Sequence, residues 1–229
     1  MPDGAPRGLP KRQDRSILLP LPGVTASFDS ATNDISVPTS LRPGDVALYL
    51  LGFDANQQGY LPAASQDSTC VTVSIAKSMQ TTNATEAVIA LSRLIEGQTA
   101  WPTTFNHNQN ATTFDAQMVI PFRPSRGFRG LCTRQHRDNR ASTSSFTYTP
   151  PTNPGPYPGG IFILNANIDT GGAGPNTPAS TNGWVGLGGA GTFVAAYWLI
   201  PPDKIATPPS ISISCSRSDT WAVVGAYVV

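Results

Sequence analysis

"TTNATEAVIALSRLIEGQ", residues 81 to 98, is the stretch on which the fold turns. Taken alone it is a helix. Asn83 or Thr85 caps its start, Ala84, Ala87, Val88, Leu91, Leu94 and Ile95 recur at helical spacing, and Gly97 ends it. A comparison of the two halves of the chain points the other way. GDVALYLLGFD, EAVIALSRLIEG and TTFDAQMVIPFR follow one another in the first half; GGIFILNANID, GTFVAAYWLIPP and DTWAVVGAYVV do so in the second. Each half opens with a Gly-led apolar strand, continues with an Ala-rich apolar run closed by Gly or Pro, and ends in an Ala/Val run finished by an aromatic. The unit of roughly 80 to 110 residues is longer than a solenoid repeat of about 20 to 50. It fits two related halves of one sandwich, or two tandem sandwiches. On that alignment residues 86–96 form a strand, and the strand is preferred to the helix.

Other segments carry strand signals of their own. GDVALYLLGFD (44–54) is apolar on both faces, as a strand buried between layers is. VTVSI (71–75) alternates, with Val71, Val73 and Ile75 set against Thr72 and Ser74. SISISCS (210–216) places Ile211, Ile213 and Cys215 on one face and serines on the other. NPGPYPGG (153–160) and DTGGAGPNTPASTNG (169–183) are long loops. The expected fold is an all-β antiparallel β-sandwich, jelly-roll-like or immunoglobulin-like, spanning 25–229. Its halves cover about 37–123 and 158–229 and are joined by an Arg-rich and Pro/Gly-rich connection, 124–157. Five prolines within the first 22 residues make 1–24 an extended N-terminal arm.

Composition narrows the functional classes. Of 229 residues only 13% are charged, against an average near 25%. The surface is therefore made of Ser, Thr, Asn, Gln and Gly, which suits packing into an assembly. A net charge of +1 argues against a polycation working on nucleic acid. Cys70, Cys132 and Cys215 are too few and too far apart for a disulfide framework, and the strand-like settings of Cys70 and Cys215 suit small buried hydrophobes. No run of about 18 apolar residues exists, so no membrane span is expected. The apolar part of the first 23 residues, broken by Pro20 and Pro22, is too short for a signal peptide.

Little chemistry is on offer. The two histidines are His107 and His136, and no nucleophile elbow, zincin motif or paired-Cys zinc spacing occurs. Cys132 and His136 lie four apart but lack two further ligands, so neither metal nor cofactor is expected. GLGGAG (186–191) matches the dinucleotide fingerprint in letters, yet a strand-like run follows it where a helix is needed. It reads as a glycine-rich turn. Asp54, Glu86, Glu96, Asp169 and Asp203 sit at expected strand ends or turns, where acids are common for structural reasons. Trp101, Tyr157 and Trp184 fall in loops and are candidates for loop contact or glycan stacking; anchoring the ends of the core is the alternative.

One stretch stands apart. FRPSRGFRGLCTRQHRDNR (122–140) holds six of the chain's 15 basic residues, Arg123, Arg126, Arg129, Arg134, Arg137 and Arg140, with Asp138 as its acidic neighbour. A subunit contact, a solvated linker and a polyanion site all fit. The contact is preferred, because guanidinium groups pair with carboxylates at interfaces and nucleic-acid surfaces normally add lysines and aromatics.

Several of these segments together resemble the β-sandwich virion structural proteins of tailed bacteriophages, of the minor tail, tail-fibre-associated or capsid-decoration type. They are PGDVALYLLGF, IPFRP, GGIFILNANID, GTFVAAYWLIPP and SISISCSRSDTWAVVGAYVV. The matching positions are Pro43, Gly44 and Asp45 in the turn before a strand, then Ile211, Ile213, Trp221, Ala222, Val223 and Val224. The resemblance runs from about 37 to 229. It departs where NQQGYLPAAS replaces the usual GWT turn and where the arginine-rich stretch is inserted. It implies a non-enzymatic virion component whose partners are other virion proteins and copies of itself. A carbohydrate-binding adhesin or glycan-active sandwich, with a host-surface glycan as partner, is the alternative. A jelly-roll coat protein of a small virus is the third reading. In the first reading nucleic acid is not a partner.

Overall fold

The stretch that mimics a helix is strand β6 (Thr85–Leu94). The computed structural model describes residues 18–27, 34–53, 69–80, 85–106, 114–125, 135–152, 159–168, 176–190, 193–203 and 206–228, and among them there is no helix. Both faces of β6 are buried. Ala87, Ile89 and Leu91 join the core on one side, Val88 and Ala90 the core on the other. A strand apolar at every position also satisfies helical spacing, and packing on two sides decides for the strand.

The chain is an all-β antiparallel β-sandwich. In its first sheet the order is β1 (Leu18–Pro20), β8 (Phe114–Pro124), β4 (Val46–Phe53), β6, β5 (Cys70–Gln80), with β2 (Thr25–Ser27) also on β8. In the second it is β10 (Arg140–Tyr148), β14 (Ile211–Val228), β11 (Ile161–Ile168), β13 (Phe193–Leu199), β12 (Trp184–Ala190), with β9 (Gln135–Arg137) on β14. A small sheet pairs β3 (Asp34–Ser36) with β7 (Thr104–Asn106). Each large sheet is thus drawn from one half of the chain. The runs compared in sequence lie in the order β8-β4-β6 in one sheet and β14-β11-β13 in the other, with β5 and β12 added beyond them.

Three apolar layers result. The middle one lies between the sheets and takes Val46, Leu48 and Leu50 from β4, Ile161 and Ile163 from β11, and Ala222, Val224 and Ala226 from β14. The outer face of the first sheet, with Ala47, Tyr49 and Leu51, is covered by Ile35, Val37, Leu41 and Phe105. Over the outer face of the second sheet, Tyr148, Ile211 and Ile213 pack with Phe162, Trp184, Trp221 and Tyr227. There Phe162 meets Tyr227 at 4.7 Å and Trp184 at 6.1 Å, both T-shaped.

Polar side chains tie the sheets together. Asn165 Nδ2 on β11 donates to the carbonyls of Leu51 at 2.9 Å and Val88 at 2.8 Å, which belong to paired residues of β4 and β6. Asn167 Nδ2 donates to the Glu86 carbonyl at 3.3 Å. Gly52 makes room for it, since a Cβ there collides with the Asn167 amide. A buried amide is costly when unpaired, so these bonds define how the sheets must face each other.

Four sequence expectations are revised. Leu18 is 2% exposed and its N–H donates to the Gly159 carbonyl, so the chain from residue 18 belongs to the sandwich and not to an arm ending at 24. Residues 1–17 lie outside the described residues. The connection 124–157 is not an excursion throughout, because β9 and β10 extend the second sheet along β14. In VTVSI the register shifts between Thr72 and Ser74, which breaks the alternation and leaves Val73 37% exposed. GLGGAG, expected as a turn, runs instead within β12 as far as Ala190, with Gly188 (φ +37) at a bulge.

Candidate functional site

The arginines divide by partner. Arg123, at the end of β8, forks onto Asp45, with Nε to Oδ1 and Nη2 to Oδ2 both at 2.8 Å. Asp45 is 3% exposed and also takes the Arg42 N–H at 2.8 Å, closing the Pro43-Gly44-Asp45 turn, where Gly44 has φ +89. This bidentate pair fixes the entry into β4 from within the chain. Arg140 Nη2 lies 2.7 Å from Asp138 Oδ2, and its guanidinium sits 5.6 Å from the Phe146 ring centre. Both charges, expected at a subunit contact, are therefore paired internally. Arg137 on β9 is exposed and has no ion-pair partner among the described residues. Arg126, Arg129, Arg134 and Cys132 lie outside the described residues.

His136, beside Arg137, meets the Tyr148 hydroxyl through Nδ1 at 3.0 Å. Burial, with Asp138 and Tyr227 adding to it, pushes the Tyr148 phenol far above its ordinary pKa. Opposite it, Gly225 has no room for a Cβ beside the Tyr148 hydroxyl and the Phe162 ring. Burial likewise raises Tyr227, to about 12, and its hydroxyl donates to the Pro151 carbonyl at 2.7 Å. These phenols stay neutral and serve as hydrogen-bonded core groups.

The aromatic candidates separate as sharply. Trp184 is not a loop platform: it is 2% exposed, opens β12, and donates from Nε1 to the Pro209 carbonyl at 2.9 Å. No sugar reaches a ring in that position. Trp101 is half-buried in the connection before β7. Its Nε1 donates to the Arg42 carbonyl at 2.9 Å, and its ring rests 6.2 Å from Phe105 at 60°. It lines an open groove of about 610 Å³ together with Arg42, Pro38, Thr39, Thr99 and Thr103. Tyr157 lies outside the described residues.

The acids and thiols have structural settings. Glu86 is 1% exposed and has Lys77 Nζ at 3.3 Å. Burial holds its carboxyl above the ordinary carboxylate range, and Lys77 pulls it part of the way back. Cys70 and Cys215 are buried and free, and burial raises the Cys215 thiol. Among the described residues no three or more of His, Cys, Asp and Glu group as metal ligands, and no helix is long and apolar enough to cross a membrane. Asp54, Asp169 and His107 lie outside the described residues. Sequence reading missed the Asn165 and Asn167 pair. Its signal was present, since two asparagines at i and i+2 of an apolar strand must share one buried face.

No protein family, no curated protein and no solved structure matches the chain.

Proposed function

We propose that the chain is a non-enzymatic structural component of a bacteriophage virion, tail- or fibre-associated or a capsid-decoration protein. It meets other virion proteins and copies of itself along the surface formed by Arg137 and β10. The observation that carries this reading is the contrast among the described arginines of residues 122–140. Arg123 and Arg140 are neutralised from within, whereas Arg137 stays exposed beside a strand whose Ala141, Ser142, Ser144 and Ser145 are exposed. Strand β10 ends its sheet and pairs only with β14 among the described residues. An end strand offers unpaired backbone groups to a neighbour, and a guanidinium nearby offers a carboxylate its partner. Register shifts interrupt both β10 and the other long end strand, β5, and β5 also carries Lys77, a charge that discourages edge pairing.

The resemblance of the strand pattern to phage sandwich proteins is the argument for the compartment. Its Pro43-Gly44-Asp45 turn is the one closed by Arg123, and its Trp221-Ala222-Val223-Val224 run opens the buried part of β14. Peptide mass spectrometry of purified particles tests the proposal. The expected result is the chain in fixed stoichiometry with the major virion proteins. Recovery only as a soluble, glycan-cleaving enzyme overturns it.

A further inference from the structure

The groove beside Trp101 brings an aromatic ring, several hydroxyls and one cation together. Its volume of about 610 Å³ falls in the range of about 300–1,000 Å³ usual for small-ligand sites. The Trp101 ring is held in place from two directions, by its bond to the Arg42 carbonyl and by Phe105. A fixed aromatic face loses little freedom when a flat apolar surface stacks on it. Around it stand the hydroxyls of Ser36, Thr39, Thr99 and Thr103, all exposed and all without hydrogen-bond partners among the described residues.

The charge of the groove is equally specific. Arg42 is its sole charged lining residue, and that side chain has no ion-pair partner among the described residues. The nearest candidate, Asp45, has both carboxylate oxygens engaged by Arg123. A ligand completing this surface brings an apolar ring face, several hydroxyls and one carboxylate. A pyranose bearing a carboxylate has all three.

We propose that this groove binds an acidic glycan. A sugar ring stacks on Trp101, its hydroxyls exchange hydrogen bonds with the threonines, and its carboxylate pairs with the Arg42 guanidinium. The site is separate from the Arg137 edge and does not rest on the virion reading.

The test uses the full chain on an array of neutral, uronic-acid-bearing and sialic-acid-bearing oligosaccharides, followed by calorimetry on the strongest binder. Acidic saccharides are expected to bind and their neutral counterparts to bind weakly or not at all. Trp101→Ala should lower affinity about tenfold or more, and Trp101→Phe should retain part of it. Arg42→Gln keeps the backbone carbonyl that holds Trp101, so the fold is preserved while acidic-glycan affinity falls about tenfold. Binding of neutral sugars alone, no saccharide binding, or affinity unchanged in Arg42→Gln overturns the proposal.

Discussion

The two large sheets share a strand order but are covered differently, and the difference decides where aromatics end up. Over the second sheet, the 18-residue β14 and its partner β10 bring Ile211, Ile213 and Tyr148 onto the outer face. Trp184 and Trp221 are fully enclosed there. Over the first sheet the cover is the short β3–β7 pair and its flanking connections, and Trp101 is left half-buried beside a groove. A cover built from long paired strands makes core. A cover built from short pieces leaves a surface that can meet a ligand.

This contrast breaks most directly through its tryptophans. Trp184→Ala should cost about 3–5 kcal/mol, the usual loss for a large buried aromatic, measured by equilibrium denaturation. A loss below about 1 kcal/mol would mean that the outer layer of the second sheet is not core.

Between the sheets the comparison is position by position. Aligning the glycines before β4 and β11 sets Val46 against Ile161, Leu50 against Asn165 and Gly52 against Asn167. Asn165→Leu therefore makes the second sheet resemble the first, yet it removes two donated hydrogen bonds to Leu51 and Val88. A stability loss of about 1–3 kcal/mol is expected by the same method. A neutral or stabilising result would show that Asn165 does not hold the sheets in register.

A smaller effect tests the buried acid of the first sheet. Burial raises the Glu86 pKa above its unfolded value, so as pH rises the unfolded chain gives up this proton first. Folded-state stability then falls through the window from the ordinary carboxylate pKa up to the raised one. Glu86→Gln should raise the melting temperature at neutral pH and leave it nearly unchanged in acid, below that window. Lys77, one-third exposed, keeps its hydration when its partner is lost. Equal shifts at both pH values would remove the buried charge from the account. Smallest of all, Trp101→Ala should cost about 1 kcal/mol or less, because its ring is only half enclosed.

Much of the architecture was legible because apolar runs at strand length mark buried strands. The runs compared between the halves are strands β4, β6 and β8 of one sheet and β11, β13 and β14 of the other, whereas β5 and β12 were not among them. Local periodicity failed at β6 for a physical reason: a strand buried on both faces carries no period of its own. The sites were harder to see. Trp101 and Trp184 look alike in sequence, both beside turn residues, and differ only in what tertiary packing lays over them. Arg123, Arg137 and Arg140 likewise differ through Asp45, 78 positions away in the case of Arg123, and through Asp138 beside Arg140. Charge density marked the stretch but could not say which charges were already paired.

Incorporation into particles tests the central claim most directly. Copies of the chain per purified particle are counted for the natural sequence and for Arg137→Glu combined with Ser144→Lys, which reverses the exposed cation and charges the end strand. Thermal unfolding of both proteins is measured alongside. The account predicts that the variant folds with an unchanged melting temperature and is depleted from particles. Full incorporation of the folded variant would contradict it.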